Sequence, residues 1–147
     1  GRGRLRAISL VGRNHQQELH PAGIEQAGTP IVQTPNQDGT TQQWTVVDGK
    51  DGLVMFQSKV SGMCFTVQDG SKEVGAMLEQ QECKGSPEQL WKPTERRGGF
   101  SFIAQHSGLQ LGIGAERVDG ARVLAQRALS TFGTTAKSRI WAFKVAG

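Results

Sequence analysis

The side chains best equipped for chemistry are three histidines (His15, His20, His106), two cysteines (Cys64, Cys83) and 13 acidic residues. Their spacing matches no catalytic pattern. No serine stands in a Gly-x-Ser-x-Gly setting. His106 precedes Ser107-Gly108, whose counterpart Ser61-Gly62 reads as a turn between strands. Carboxylate spacing alone leaves glycoside hydrolysis open. Cys64 and Cys83 lie 19 residues apart, outside any Cys-x-x-Cys pair and away from a histidine cluster. Zinc is therefore not expected, nor any other metal or cofactor. The two cysteines read in two ways. A bridge would close a loop of about 20 residues, contribute on the order of 3 kcal/mol and point to an oxidising compartment. Two free buried thiols would fit a cytosolic protein.

These groups must be held by strands, and the chain spells out how. Gln42-Gln43-Trp44, Gln89-Leu90-Trp91 and Arg139-Ile140-Trp141 contain all three tryptophans, spaced 47 and 50 residues apart. Trp is rare, so this regularity means one structural unit used three times. A glycine, an apolar stretch and a glutamine precede each Trp: Gly28 to Gln33, Gly75 to Gln80, Gly120 to Gln126. The glycine-to-Trp distance is 16 residues twice and then 21, which predicts a longer loop within Ala128 to Ser138. Gly52-Leu53-Val54-Met55-Phe56 overlays Gly99-Phe100-Ser101-Phe102-Ile103, while the first unit keeps Leu5, Ile8 and Leu10. Short alternating segments such as Cys64-Phe65-Thr66-Val67, between Gly, Asp, Asn and Pro turns, predict about four strands per unit. About twelve short strands in three copies require a closed, pseudo-threefold all-β architecture, because one unit cannot bury its own apolar face. The whole chain, 1–147, is expected to be one domain with repeats near 5–47, 48–94 and 95–147. Trp44, Trp91 and Trp141 are read as core anchors, and Gln42, Gln89 and Arg139 as side chains that bond nearby backbone.

Charge narrows the partners little. Seventeen basic residues against 13 acidic ones give a net charge of +4, with local clusters at Arg2, Arg4 and Arg6, at Arg96-Arg97, and at Arg117, Arg122 and Arg127. No groove-reading or base-stacking motif accompanies them, so a nucleic-acid partner is not expected. A sulfated-glycan surface is a minor reading. No apolar run reaches the roughly 18 residues of a bilayer span.

The three Gln-x-Trp-like motifs, with Cys64-Phe65-Thr66-Val67-Gln68-Asp69-Gly70, Gly75-Ala76-Met77-Leu78 and Cys83 of the second unit, resemble the ricin B-type lectin domain, a β-trefoil. The resemblance runs from about Leu5 to Val145. It implies a Cys64–Cys83 disulfide within the second repeat. It also implies shallow sugar pockets, one per repeat, built from an early-strand aspartate, a later stacking aromatic and a late amide. A carboxylate accepts paired hydroxyl hydrogen bonds, and an aromatic ring buries the C–H face of a pyranose.

The chain departs from that set. The aspartate position falls on Leu19, Thr66 and Leu111, the stacking position on Thr34, Gln81 and Gln126, and the amide position near Thr41, Glu88 and Ser138. Leucine accepts no hydrogen bond, so the first and third pockets are expected to be dead. In the second repeat, Thr66, Asp69, Glu79, Gln81 and Glu88 are the candidate ligand-binding residues, grouped around the Asp69-Gly70 turn. Asp69 also reads simply as a turn residue. A different polar set in the third repeat, Glu116, Arg117, Asp119 and Gln126 with Arg122, would suit an anion. The resemblance implies a non-catalytic, secreted or extracellular carbohydrate-binding module with degenerate sites for galactose-type or other glycans. Such a module can be part of a larger secreted protein or toxin. The alternative is a protein–protein interaction module of inhibitor or receptor-binding type, working through loops 33–41 or 128–138.

Overall fold

The computed structural model describes residues 7–12, 17–21, 26–35, 44–96, 99–118, 120–129 and 141–145. Twelve strands run through them: β1 (Ala7–Gly12), β2 (Gln17–Pro21), β3 (Ile31–Pro35), β4 (Trp44–Asp48), β5 (Val54–Ser58), β6 (Cys64–Val67), β7 (Leu78–Gln81), β8 (Trp91–Arg96), β9 (Gly99–Ala104), β10 (Gln110–Val118), β11 (Ala121–Arg127) and β12 (Trp141–Val145). No α-helix occurs among the described residues.

All the pairings are antiparallel, and they close. β1 pairs β4, β4 pairs β5, β5 pairs β8, β8 pairs β9, β9 pairs β12, and β12 returns to β1. This six-stranded ring has no free edge. The other six strands form three hairpins, β2–β3, β6–β7 and β10–β11. They meet through β3–β11 and through bridges at Pro30–Glu79 and Met77–Ala125. A closed barrel capped by three hairpins is the expected β-trefoil.

The core shows why the sequence repeats. Trp44 and Trp91 are fully buried, with Phe56, Phe65, Phe102, Ile31, Leu78, Leu111 and Leu124 around them. Trp44 meets Phe65 edge-on at 4.4 Å, and Phe56 meets Phe102 edge-on at 5.0 Å, the geometry that aromatic quadrupoles favour. Leu78 and Leu124 occupy matching places, since they pair with Val67 and Ile113 across their hairpins. Trp141 opens β12 opposite Gly12 of β1 and Phe100 of β9. Gln42 and Arg139 lie outside the described residues.

The turns repeat with the core. The Gly62 amide donates to the Ser58 carbonyl at 2.9 Å, as the Gly108 amide does to that of Ala104. Both glycines have φ near +75°, which side chains with a Cβ rarely adopt. That match puts Phe56 on Phe102, and so corrects by one residue the overlay drawn from Gly52 and Gly99. The hairpin between β4 and β5 spans Gly49 to Leu53, whereas that between β8 and β9 spans only residues 97–98. Trp44 lies opposite Ser58, 14 residues on, and Trp91 opposite Ala104, 13 residues on, so the second hairpin is one residue shorter between matching pairs.

Two buried glutamines link successive units. Gln80 is fully buried. It accepts from Ser61 Oγ at 2.8 Å and donates to the Gln26 carbonyl at 3.0 Å, 54 residues away. Gln126 repeats this, accepting from Ser107 Oγ at 2.8 Å and donating to the carbonyls of Ser71 and Glu73 at 2.8 Å each. Each glutamine thus satisfies the loop of the preceding unit from inside the core.

Candidate functional site

The second unit carries a cleft of about 300 Å³. Its wall is assembled from β6, the turn after it, β7, and the loop that leads to Trp91. β7 alternates buried and half-buried residues, so Leu78 and Gln80 face the core while Glu79 and Gln81 face outward together. Glu79 lies directly across from Thr66 on β6. Gln81 Nε2 donates to Glu79 Oε2 at 2.7 Å, which fixes that carboxylate and leaves its other oxygen for a ligand.

Past β6 the chain makes a 3-10 turn at Gln68–Gly70, in which Asp69 adopts φ 57° and ψ 19°. Asp tolerates this left-handed conformation better than most residues. The Asp69 side chain makes no hydrogen bond within the turn and has no partner among the described residues. The turn uses the backbone tolerance of Asp69, and its carboxylate stays free on the cleft rim.

The far wall is held by two fasteners. Cys64 and Cys83 are joined by a disulfide, with Cα atoms 5.1 Å apart. Gln89, only 1% exposed, is the second. Its Oε1 accepts from the amides of Lys84 at 2.7 Å and Gly85 at 3.0 Å. Its Nε2 donates to the Glu82 carbonyl at 2.8 Å and to Thr66 Oγ1 at 3.0 Å. Gln89 therefore ties the 82–85 loop to β6, and Trp91, two residues on, anchors the same segment in the core. Glu88 stands on the 3-10 turn Pro87–Gln89 and accepts from Ser86 Oγ at 3.1 Å.

All five candidate residues, Thr66, Asp69, Glu79, Gln81 and Glu88, line this one cleft. Their roles differ. Thr66 is 6% exposed, and its hydroxyl donates to the Cys64 carbonyl at 3.0 Å while accepting from Gln89. It forms the cleft floor with little hydrogen-bonding capacity to spare. Asp69, Glu79 and Glu88 keep unused carboxylate oxygens. The sequence reading missed Glu82, Lys84 and Ser86, which also line the cleft. Their signal was the Cys64–Cys83 spacing, because a bridge there folds residues 82–86 back over β6. Four carboxylates (Asp69, Glu79, Glu82, Glu88) and one ammonium (Lys84) face the space, and none of the five has an ion-pair partner among the described residues. Among the described residues, no three or more His, Cys, Asp and Glu are grouped to hold a metal ion.

The corresponding positions elsewhere need correcting. Leu111 pairs with Gln126, as Phe65 pairs with Gln80, so the counterpart of Thr66 is Gly112 rather than Leu111. The counterpart of Gln81 is Arg127 rather than Gln126. In the first unit Leu19 pairs with Gln33, which makes His20, not Leu19, the match for Thr66. Thr34 keeps its place opposite Glu18. Successive residues of a strand point to opposite faces, so each one-residue slip moved the assignment to the other face of its hairpin. Of the polar set in the third unit, Gln126 is spent inside the core, and Arg117 donates to the Gly120 carbonyl at 2.8 Å. Arg122 lies directly across from Arg117. Asp119, Thr41, Ser138 and most of the loops 33–41 and 128–138 lie outside the described residues.

Comparison with known proteins supplies the context for this geometry. The family model described as ricin-type beta-trefoil lectin domain-like matches residues 8–76 and 40–126. Among solved structures, the designed threefold-symmetric protein ThreeFoil superposes with a TM-score of 0.83 at 24% identity, covering 94% of this chain and 97% of that one. 1,3Gal43A, an exo-beta-1,3-galactanase from Clostridium thermocellum, also reaches 0.83 at 24% identity, covering 95% of this chain and 30% of its own. The Rhizoctonia solani agglutinin gives 0.77 at 16% identity, with 97% and 96% covered. No curated protein matches by sequence.

Proposed function

We propose that this chain, which belongs to the ricin-type β-trefoil lectin-like family, is a non-catalytic carbohydrate-binding module whose working site is the cleft of its second unit. One observation carries the proposal. The family's early-strand aspartate is Thr66 here, and a carboxylate stands directly across the hairpin at Glu79. An acceptor for sugar hydroxyls is thereby supplied from β7 instead of β6. Gln81 orients it, Asp69 adds a second free carboxylate on the rim, and the disulfide and Gln89 hold the opposite wall. The preorganised wall lowers the ordering cost of binding, and vicinal hydroxyls match a carboxylate well.

Among the described residues no aromatic lines the cleft, so those residues offer no ring to stack on a sugar face. Affinity is expected on the order of tens of micromolar to millimolar per site. The first and third units are degenerate: Val32 and Ala125 stand where Glu79 does, and neither supplies a carboxylate. The chain is one domain, and the small share of the galactanase that it covers supports a role as a module within a larger protein. A formed disulfide supports a secreted or extracellular location.

A glycan array followed by calorimetry tests this reading. Binding is expected to a limited set of glycans, and Glu79→Gln should weaken it about tenfold with folding intact. An array without binders, together with silence toward concentrated galactose and N-acetylgalactosamine, would defeat it.

A further inference from the structure

The charge around the cleft opposes that of the chain as a whole. The molecule carries a net +4, yet Asp69, Glu79, Glu82 and Glu88 face the cleft against Lys84 alone. None of the four carboxylates is neutralised by an ion pair among the described residues. Two have one oxygen engaged by an uncharged donor, Gln81 for Glu79 and Ser86 for Glu88, which leaves their charge in place. A concave wall on which one sign of charge predominates, here four carboxylates against one ammonium, focuses its field into the space it encloses. We infer that this cleft selects sugars bearing a free, protonated amine over their neutral parents, and rejects sugars bearing a carboxylate. The inference rests on the reading of the cleft as a sugar site.

The chemistry follows from the groups present. An ammonium in place of one ring hydroxyl gives Asp69 or Glu79 a charge-assisted hydrogen bond where a hydroxyl gives a neutral one. An N-acetyl group removes the charge and returns the ligand to the neutral class. A uronic acid brings a carboxylate toward four others, with a single exposed lysine to offset them. Charges this accessible to water are screened by salt, so the discrimination is of moderate size and depends on ionic strength.

The test compares matched sugars on the full chain, by calorimetry and by shifts of the cleft resonances. Glucosamine and galactosamine are set against glucose and galactose, their N-acetyl forms, and glucuronic and galacturonic acids. At about 10 mM salt the amino sugars should bind about fivefold tighter than their parents, and the uronic acids most weakly. At about 0.5 M salt the series should converge. An Asp69→Asn/Glu79→Gln double variant should lose the preference for the amine, and the salt series on the unaltered chain reads the same property without any substitution. Equal binding of amino and neutral sugars, uronic acids bound as tightly as amines, or a preference that survives high salt or the double variant would overturn the inference while leaving the sugar site standing. If no sugar in the series moves the cleft resonances, the sugar site itself fails, and the inference with it.

Discussion

Gln89 makes four hydrogen bonds while 1% exposed, and three of them end on residues 82, 84 and 85. The sequence predicted such a role for the residue two before each tryptophan, but its partners could not be read, because Thr66 lies 23 residues away on another strand. Gln89→Ala removes every one of these bonds and releases the 82–85 loop from β6. It should destabilise the fold by about 2–3 kcal/mol, read by urea unfolding. Asp69 separates two roles that the sequence left joined. Since φ there is 57° and the carboxylate is unpartnered, Asp69→Gly should keep stability within about 0.5 kcal/mol. Asp69→Val should cost about 1–2 kcal/mol from backbone strain. Both should weaken sugar binding; a glycine variant that binds as well as the parent would leave Asp69 a turn residue only.

The hairpins set what was legible at the next scale. Strand existence was plain from alternation and glycine punctuation, and the Thr66–Glu79 hairpin fell where the motif put it. Register was harder. The turn between β4 and β5 differs in length from that between β8 and β9, and β10–β11 is irregular between Ile113 and Arg117. Such irregularities move the count along the chain without altering composition, so Leu111 and Gln126 were assigned to positions that Gly112 and Arg127 hold. Glu79 was named as a candidate, yet its place opposite Thr66 needed the paired strands. The disulfide operates at this scale too, since it fastens the 82–86 loop to β6. A Cys64→Ser/Cys83→Ser double variant should lose about 3 kcal/mol of stability. It should also bind sugar several-fold more weakly, because Lys84, Ser86 and Glu88 lose a fixed wall. Thermal unfolding paired with calorimetry checks both.

Across the molecule, the closed ring β1–β4–β5–β8–β9–β12 leaves no unit self-sufficient, and Gln80 and Gln126 each bond the loop of the unit before them. Unfolding is therefore expected as one cooperative transition, with calorimetric and van't Hoff enthalpies in agreement. Gln126→Leu removes its bonds to Ser107 Oγ and to the part-buried carbonyls of Ser71 and Glu73, and should cost about 1–3 kcal/mol across that whole transition. Separate melting of one unit would contradict the interlocked core. The threefold frame was legible because rare tryptophans mark its period. The links between units were not, because a glutamine inside an apolar stretch does not announce a partner some 55 residues away.

The proposed sugar site is the cleft between β6, β7 and the disulfide-held loop. The direct measurement is a titration of the isotope-labelled full chain with galactose, N-acetylgalactosamine and galactosamine, followed residue by residue through amide shifts. Saturable shifts concentrated at Thr66, Asp69, Glu79, Gln81 and Lys84–Glu88, with the surroundings of Gly112 and Arg127 unmoved, are the predicted result. Shifts confined to the other two units, or none at concentrations far above the millimolar range, would contradict it.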